Sequence, residues 1–333
     1  IDAMFGTGLT RPLTGALAEL VAWLNGSGAR VVAVDVPSGL NADRAEPIGP
    51  HVRADLTVEL AGRKPASLFY PNRHAYGRSE LLPIGVPDEV LHDVSNVNIL
   101  DAAWLAPHYP ALLPDAHKYS AGTVSVVAGS PRYLGAAELA SRGAWRGGAG
   151  LVTLVAPVRT AASWPETVHV QHDLRSWPPP GLSVKHAASM VIGPGLTPAD
   201  LPETATAGRT RLVLTPHAGE AARLLAGITN ADGGALVRRD PIAAALRIAR
   251  AYHAVVVLKG PTSVVAAPSG RMAVSTAGSP AMASGGTGDV LAGLIGALAA
   301  PPEGATALFE RACLATWLHG TAGELAAAAL GGS

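Results

Sequence analysis

The sequence predicts an α/β protein of two successive units, each a mostly parallel sheet covered by helices. Three observations carry that expectation. Short apolar, β-branched runs alternate with helical spacing along most of the 333 residues, the pattern of parallel strands joined by helical crossovers. Several of these runs open directly into a loop containing glycine, the place where open α/β sheets bind ligands. The periodicity dissolves between residues 87 and 115 into Asp, Asn, Pro and His, which marks a boundary between units.

Taken in order, residues 13–25 (LTGALAELVAWLN) show helical spacing at Leu17, Leu20, Val21 and Leu24, stopped by Gly26 and Gly28. Residues 31–36 (VVAVDV) form a buried-strand run ended by Pro37-Ser38-Gly39, and residues 55–61 and 81–85 are further strand candidates. The first unit is placed at residues 1–95, a linker at 96–114 and the second unit at 115–333. In the second unit residues 122–128 read as a strand, 136–145 as a helix and 151–156 as a strand, together a βαβ unit. Strand-like runs recur at 189–192, 211–214 and 254–258, with helical spacing at 219–226 and 241–252.

Composition narrows the function classes. With 48% hydrophobic and 15% charged residues the chain holds ample apolar material for more than one core, and disorder is not expected. Twenty-five basic residues against 25 acidic ones leave no net charge, and aromatic residues make up 5%. No global field or stacking surface for nucleic acid follows from that, so any phosphate site must be local. The longest apolar stretches, such as residues 290–300, fall short of the ~20 residues that span a bilayer, and no membrane anchor is expected. The first residues carry no secretory pattern and read as starting inside a domain. The single cysteine, Cys313, excludes an internal disulfide framework and a cysteine-rich zinc cage, and the cytoplasm is the expected compartment.

Four strand-to-loop exits carry chemistry. In residues 278–296 (GSPAMASGGTGDVLAGLIG), Gly285, Gly286 and Gly288 let the backbone approach a ligand, and the first amides of the following helix suit phosphate or developing oxyanion charge. Asp289 at that mouth is a candidate base for a substrate hydroxyl, the alternative being a plain helix cap. In residues 255–263 (VVVLKGPTS) a buried strand delivers Lys259 and Gly260 to a loop able to bind nucleotide phosphate, the alternative being an exposed strand-end lysine. In residues 212–225 (LVLTPHAGEAARLL) His217 is held in a turn at a strand end, a site residue or a solvated loop histidine. Residues 191–196 (VIGPGL) place Gly193 and Gly195 in a tight turn. The four loops are expected to converge on one sheet edge.

These motifs occur together and in order with "HKYSAGTVSVVAGS" and "GAAELASRGAWRGGAGLVTL". From His117 to Gly323 the chain resembles the ADP-dependent NAD(P)H-hydrate dehydratase domain, a ribokinase-like fold. Residues 1–87, through "DAMFGTGLTRPL" and "VVAVDVPSGLNAD", resemble the C-terminal part of the NAD(P)H-hydrate epimerase domain, a partial Rossmann-like α/β unit. Together they resemble the bifunctional NAD(P)H-hydrate repair enzymes.

The resemblance implies that Ala136, Gly195, His217 and Asp289 line the hydrated nicotinamide nucleotide NAD(P)HX, with Asp289 as base. It implies that Lys259, Gly260, Pro261, Thr262, Ser263 and Gly288 hold the adenine nucleotide, ADP or ATP, with Mg2+ bridging its phosphates. The substrate hydroxyl would be phosphorylated and then eliminated as phosphate, which leaves where hydroxide leaves poorly. In the first unit Gly6, Thr7, Gly8, Leu9, Thr10, Arg11, Pro12 and Asp35 would contact substrate, and Asp2 and Ser38 would hold K+. A homo-oligomer is also implied. An Asn-Asn-Gly-Gly-Asp-Gly type loop of the epimerase family is not found in this sequence, so epimerase activity is not expected of the chain. The connection from 196 to 214 is short for the family, so one strand and one helix fewer are expected there. The competing functions are a ribokinase-like vitamin-precursor kinase and a catalytically silent nucleotide-binding protein.

Overall fold

In a computed structural model the described residues are 1–87, 89–91, 97–158, 164–176, 189–196, 212–228, 232–301 and 307–331. The connection expected to be shortened falls mostly outside them, at residues 197–211.

The N-terminal unit is a parallel sheet ordered β1 (Val32–Val34), β2 (Leu56–Leu60), β3 (Arg78–Leu82). Asp2 adds a bridge to Ala33 on the free edge of β1. Helix α1 (Ala16–Gly26) follows the glycine loop and buries Val21 against Leu13, Val31, Ala33, Val52 and Ala54. In β2 the buried positions are the polar ones, Thr57 and Glu59, an inversion of the usual alternation that a strand period alone does not reveal. Two short helices, α2 (Pro65–Leu68) and α3 (Arg73–Tyr76), close the unit.

Val97–Ile99, inside the segment assigned as linker, is instead strand β4, and Ala102–Leu105 is helix α4 capped by the Asp101 side chain. Leu100 and Leu105 are buried in the second unit's core. Three residues at a sheet edge are too few to show a period, which is why this segment reads as irregular.

Among the described residues the second unit holds two sheets. The first is fully parallel and ordered β7 (Val168–Gln171), β6 (Leu151–Ala156), β5 (Thr123–Val127), β8 (Ser189–Ile192), with helix α5 (Leu134–Arg146) crossing from β5 to β6. The second runs β4, β12 (Met272–Ser275), β11 (Ser263–Ala266), β10 (Val255–Leu258), β9 (Val213–Leu214); β9 and β10 are parallel, and β10, β11 and β12 are antiparallel neighbours. Helices α6 (Ala218–Ala226), α7 (Gly233–Arg239) and α8 (Pro241–Tyr252) lie between β9 and β10. The sequence explains the ends of α8: Pro241 occupies the first turn, the Asp240 carboxylate accepts from the Ala243 amide, and His253 closes the helix in the left-handed region at φ 49°.

Helix α9 (Thr287–Ala299) staples the two sheets. Its Ala297 packs with Val124, Val126 and α5, while Leu291, Ile295 and Leu298 pack with Val255, Val257 and helix α10 (Leu308–Ala329). The approach of α9 to α5 requires glycine: a Cβ on Gly293 would sit 1.9 Å from the Ala140 carbonyl oxygen, and one on Gly143 2.2 Å from that of Val290. The two units also share a core, since Ala45, Leu68 and Phe69 pack with α8 and β10–β12. The Thr262 hydroxyl donates to the Leu68 carbonyl at 2.6 Å across that boundary. No helix among the described residues is long and apolar enough to cross a membrane.

Candidate functional site

The strand ends of the second unit converge, but across both sheets rather than on one edge, with α9 carrying the contact between them. At the end of β8, Gly195 takes φ 70° and lies so close to α5 that a Cβ on it would be 2.8 Å from the Ala136 Cβ. One turn along α5, Leu139 faces Gly286, where an added Cβ would meet its Cδ1 at 2.4 Å and Asp289 Oδ2 at 4.0 Å. From the other sheet comes Lys259, whose Nζ would be 3.1 Å from a Cβ on Gly288. His217 forms an isolated bridge with Lys259, and the Lys259 amide donates to the Pro216 carbonyl at 2.8 Å. Ala136, Gly195, Gly288, Asp289, Lys259 and His217 are thereby strung around the N-terminus of α9.

That N-terminus is open. Gly286 adopts φ 95°, the left-handed conformation that lets the loop turn into the helix. The Asp289 amide is engaged by the Gly286 carbonyl at 3.0 Å, whereas the Thr287 and Gly288 amides have no acceptor among the described residues. These two donors and the positive end of the helix dipole favour an anion. The Asp289 carboxylate is half-buried and hydrogen-bonds no described residue. Burial raises its pKa above the ordinary carboxylate value, and the Lys259 ammonium opposes that rise. A carboxylate held so holds a proton more strongly than a solvated one, which suits a base.

His217 is further constrained than its strand-end position shows. Its Nδ1 accepts from the Gly219 amide at 3.0 Å and the Glu220 amide at 3.3 Å, capping α6, while the Glu220 side chain accepts from the His217 amide. The neutral ring therefore carries its proton on Nε2, 3.4 Å from Glu220 Oε1. Thr262 departs from the expected arrangement, because its hydroxyl is buried and bound to Leu68 rather than free in the loop. Ser263 opens β11 with its hydroxyl 3.3 Å from the Gly260 carbonyl. No group of three metal-ligating His, Cys, Asp or Glu side chains occurs among the described residues.

In the N-terminal unit Asp2 and Ser38 meet directly: the Ser38 amide and hydroxyl donate to the two Asp2 carboxylate oxygens at 2.8 and 2.6 Å. The Phe5 amide donates to the Ser38 hydroxyl at 3.0 Å, which anchors the start of the loop Gly6–Pro12. Gly6, Thr7, Gly8, Thr10, Arg11 and Pro12 are exposed, and the Leu9 carbonyl accepts from Asn41 at 2.9 Å. Asp35, in the left-handed region at φ 69°, accepts from the Leu60 amide and pairs with Lys64. Sequence reasoning missed Lys64, which lies beyond an irregular stretch with no motif to mark it. Behind the pair, burial and the neighbouring Glu59 and Asp35 push the Tyr76 phenol far up.

Residues 198–331 match the NAD(P)H-hydrate dehydratase family, and residues 1–66 match the family described as YjeF-related protein N-terminus. A bifunctional NAD(P)H-hydrate repair enzyme of Moorella thermoacetica is 35% identical over 98% of this chain and 68% of its own length. The chain belongs to the bifunctional NAD(P)H-hydrate repair enzyme family. The relative from Gloeobacter violaceus is 38% identical over 98% of the chain and 71% of its own length, and that of Escherichia coli 31% over 99% and 68%. Among solved structures, an ADP/ATP-dependent NAD(P)H-hydrate dehydratase of Bacillus subtilis, co-crystallized with ATP and Mg2+, is 27% identical with a TM-score of 0.53 over 70% of this chain and 90% of its own. A ribokinase-like superfamily protein of Enterococcus faecalis, 23% identical with a TM-score of 0.57 over 70% and 89%, shares the fold. The matched residues 198–331 include the N-terminus of α9, around which these strand ends gather.

Proposed function

We propose that the chain dehydrates (S)-NAD(P)HX to NAD(P)H with ADP or ATP, the chemistry residing in the second unit. The observation that carries this reading is Asp289: a half-buried carboxylate with raised proton affinity, set beside Lys259 and two open amides at the N-terminus of α9. The nucleotide supplies a phosphoryl group, which turns a poor leaving group, hydroxide, into a good one. Asp289 takes the proton of the substrate hydroxyl as that oxygen is phosphorylated. Lys259 and the Thr287 and Gly288 amides hold phosphate charge, in a place where no side chain on Gly288 obstructs the lysine. Ala136 and Gly195 shape the wall for the nicotinamide ring, and His217 offers its Nε2 proton.

The second unit takes in residues 97–105 besides 115–333, and Gly260, Pro261 and Ser263 border the nucleotide while Thr262 ties that loop to the first unit. Mg2+ suits this site as a companion of the nucleotide's own oxygens, because a single carboxylate, Asp289, is at hand to assist. In the first unit Asp2, Ser38 and the Phe5 carbonyl gather hard oxygen donors that suit K+, with Asp35 and the Gly6–Pro12 loop toward substrate. A cytoplasmic site of action fits a nicotinamide nucleotide substrate and a single, buried cysteine.

The test follows the near-ultraviolet absorbance of reduced nicotinamide with purified protein, (S)-NADHX, Mg2+ and ADP. Wild type regenerates NADH, and Asp289→Asn loses about 10²–10⁴-fold in kcat, the usual contribution of a positioned base, while calorimetry finds ADP still bound. Equal turnover by the variant removes Asp289 from the mechanism. Phosphorylation of a vitamin precursor with no turnover of (S)-NADHX assigns the site to a small-molecule kinase instead.

A further inference from the structure

The segment 277–289 makes short-range bonds of its own: the Ser279 hydroxyl caps a single 3-10 turn at Pro280–Met282 by accepting from the Ala281 amide at 3.2 Å, and the Thr287 hydroxyl donates to the Ser284 carbonyl at 3.2 Å. Gly278 and Gly286 sit at φ 141° and 95°, and glycine loses much conformational entropy when ordered. Helix α10, behind the segment, adds the longer-range hold. The His319 ring lies against the Thr287 backbone. Gly320 packs so tightly that a Cβ there would sit 2.4 Å from the Ala277 carbonyl oxygen, and one on Gly323 would sit 2.1 Å from the Met282 Sδ. Glu324 Oε1 accepts from the Gly278 amide at 2.8 Å. Residues 319, 320, 323 and 324 form one stripe of the helix, so a single face of α10 grips both ends of the loop.

We propose that His319 and Glu324 are positioning residues for the dehydratase reaction, fixing the 277–289 segment so that Asp289 and the open amides of Thr287 and Gly288 meet the substrate in one geometry. The two glycines supply close contact, but contact alone leaves the loop free to slide along the helix. The Glu324 hydrogen bond and the contact of His319 with the Thr287 backbone set its register. His319 acts through Thr287, two residues before the base, and Glu324 acts through Gly278 at the loop's start. Burial lowers the His319 pKa, so the ring meets Thr287 as a neutral group and adds no charge to the loop that carries Asp289.

The inference rests on the proposed dehydratase reading, and its test separates the two. Turnover of (S)-NADHX and amide hydrogen exchange over residues 284–290 are measured for wild type, His319→Ala, His319→Gln, Glu324→Ala and Glu324→Gln, with thermal unfolding as the check on folding. The alanine variants are expected to lose about 10- to 100-fold in kcat, the range found when groups that orient a reacting residue are removed, with little change in KM and faster exchange at 284–290. The glutamine variants keep a donor at 319 and an acceptor at 324, and recover most of the turnover and protection. If wild type itself does not turn over (S)-NADHX, the dehydratase reading fails while exchange still decides whether α10 fixes the loop. Wild-type kcat and exchange in folded alanine variants overturn the inference, as does a folded His319→Gln as impaired as His319→Ala. Should His319→Ala not fold, the Glu324 pair carries the same test at Gly278.

Discussion

In the N-terminal unit Asp2, Asp35, Asp55 and Glu59 each accept hydrogen bonds from the protein itself, whereas in the C-terminal unit Asp289 meets no donor among the described residues. Glu59 is fully buried yet held by Arg63, Ser79 and the Lys64 amide, and Asp35 is held by Lys64 and the Leu60 amide. A carboxylate surrounded by fitted donors contributes to folding and binds a ligand only by exchanging partners. One left beside an open helix end with a lone lysine contributes to chemistry and weakens the fold slightly. The same residue type therefore serves two purposes, and the neighbouring donors decide which.

Two lysines put this contrast at risk. Lys64→Met strips the partner from Asp35 at a site where both side chains are less than one-fifth exposed. Loss of about 2–3 kcal/mol of unfolding free energy is expected in denaturant titration, below the 3–5 of a fully buried pair because some solvent remains. The double variant Asp35→Asn/Lys64→Met recovers part of that loss, because no charge is then left alone. Lys259→Met carries the opposite expectation. Its ammonium has no hydrogen-bonded partner among the described residues, so its removal changes stability by less than about 0.5 kcal/mol, while ADP binding by calorimetry weakens about tenfold, as for the loss of one phosphate contact. If Lys259→Met destabilises the fold as much as Lys64→Met, the two sites do not differ in kind.

What the sequence revealed follows the same division between local and distant. Strands β5 and β10 are buried along their whole length and β6 along most of it, and all three stand out as apolar runs. The β11–β12 hairpin escaped notice, although Pro268, Ser269 and Gly270 at φ 97° mark its turn. Helix α10 is buried on every side from Phe309 to Thr316, so it has no polar face to betray its period. Asp289, Lys259 and His217 were legible because each follows a strand or glycine loop in its own stretch of chain. Lys64 and His319 were not, since their partners Asp35 and Thr287 lie roughly thirty residues away and only the folded chain joins them. The division into two sheets was hidden for the same reason: strand spacing does not say which neighbours pair.

The finest test of the comparison is the pH dependence of Asp289→Asn. Burial holds the Asp289 carboxyl above its ordinary pKa, so the folded state binds a proton more tightly than the unfolded chain does. The ionised form is therefore the destabilising one, and that penalty is present in full above the folded-state pKa and vanishes as the pH falls below the unfolded value. Asparagine imitates the neutral acid. The thermal midpoint of Asp289→Asn should lie slightly above that of wild type at neutral pH, and the gap should close on acidification through the raised pKa of Asp289. Asp35→Asn should show the reverse sign at neutral pH, since it removes the charge that Lys64 requires. A variant at Asp289 that is less stable than wild type at neutral pH would mean that its carboxylate is held by the fold after all, and the distinction between the two units would fall.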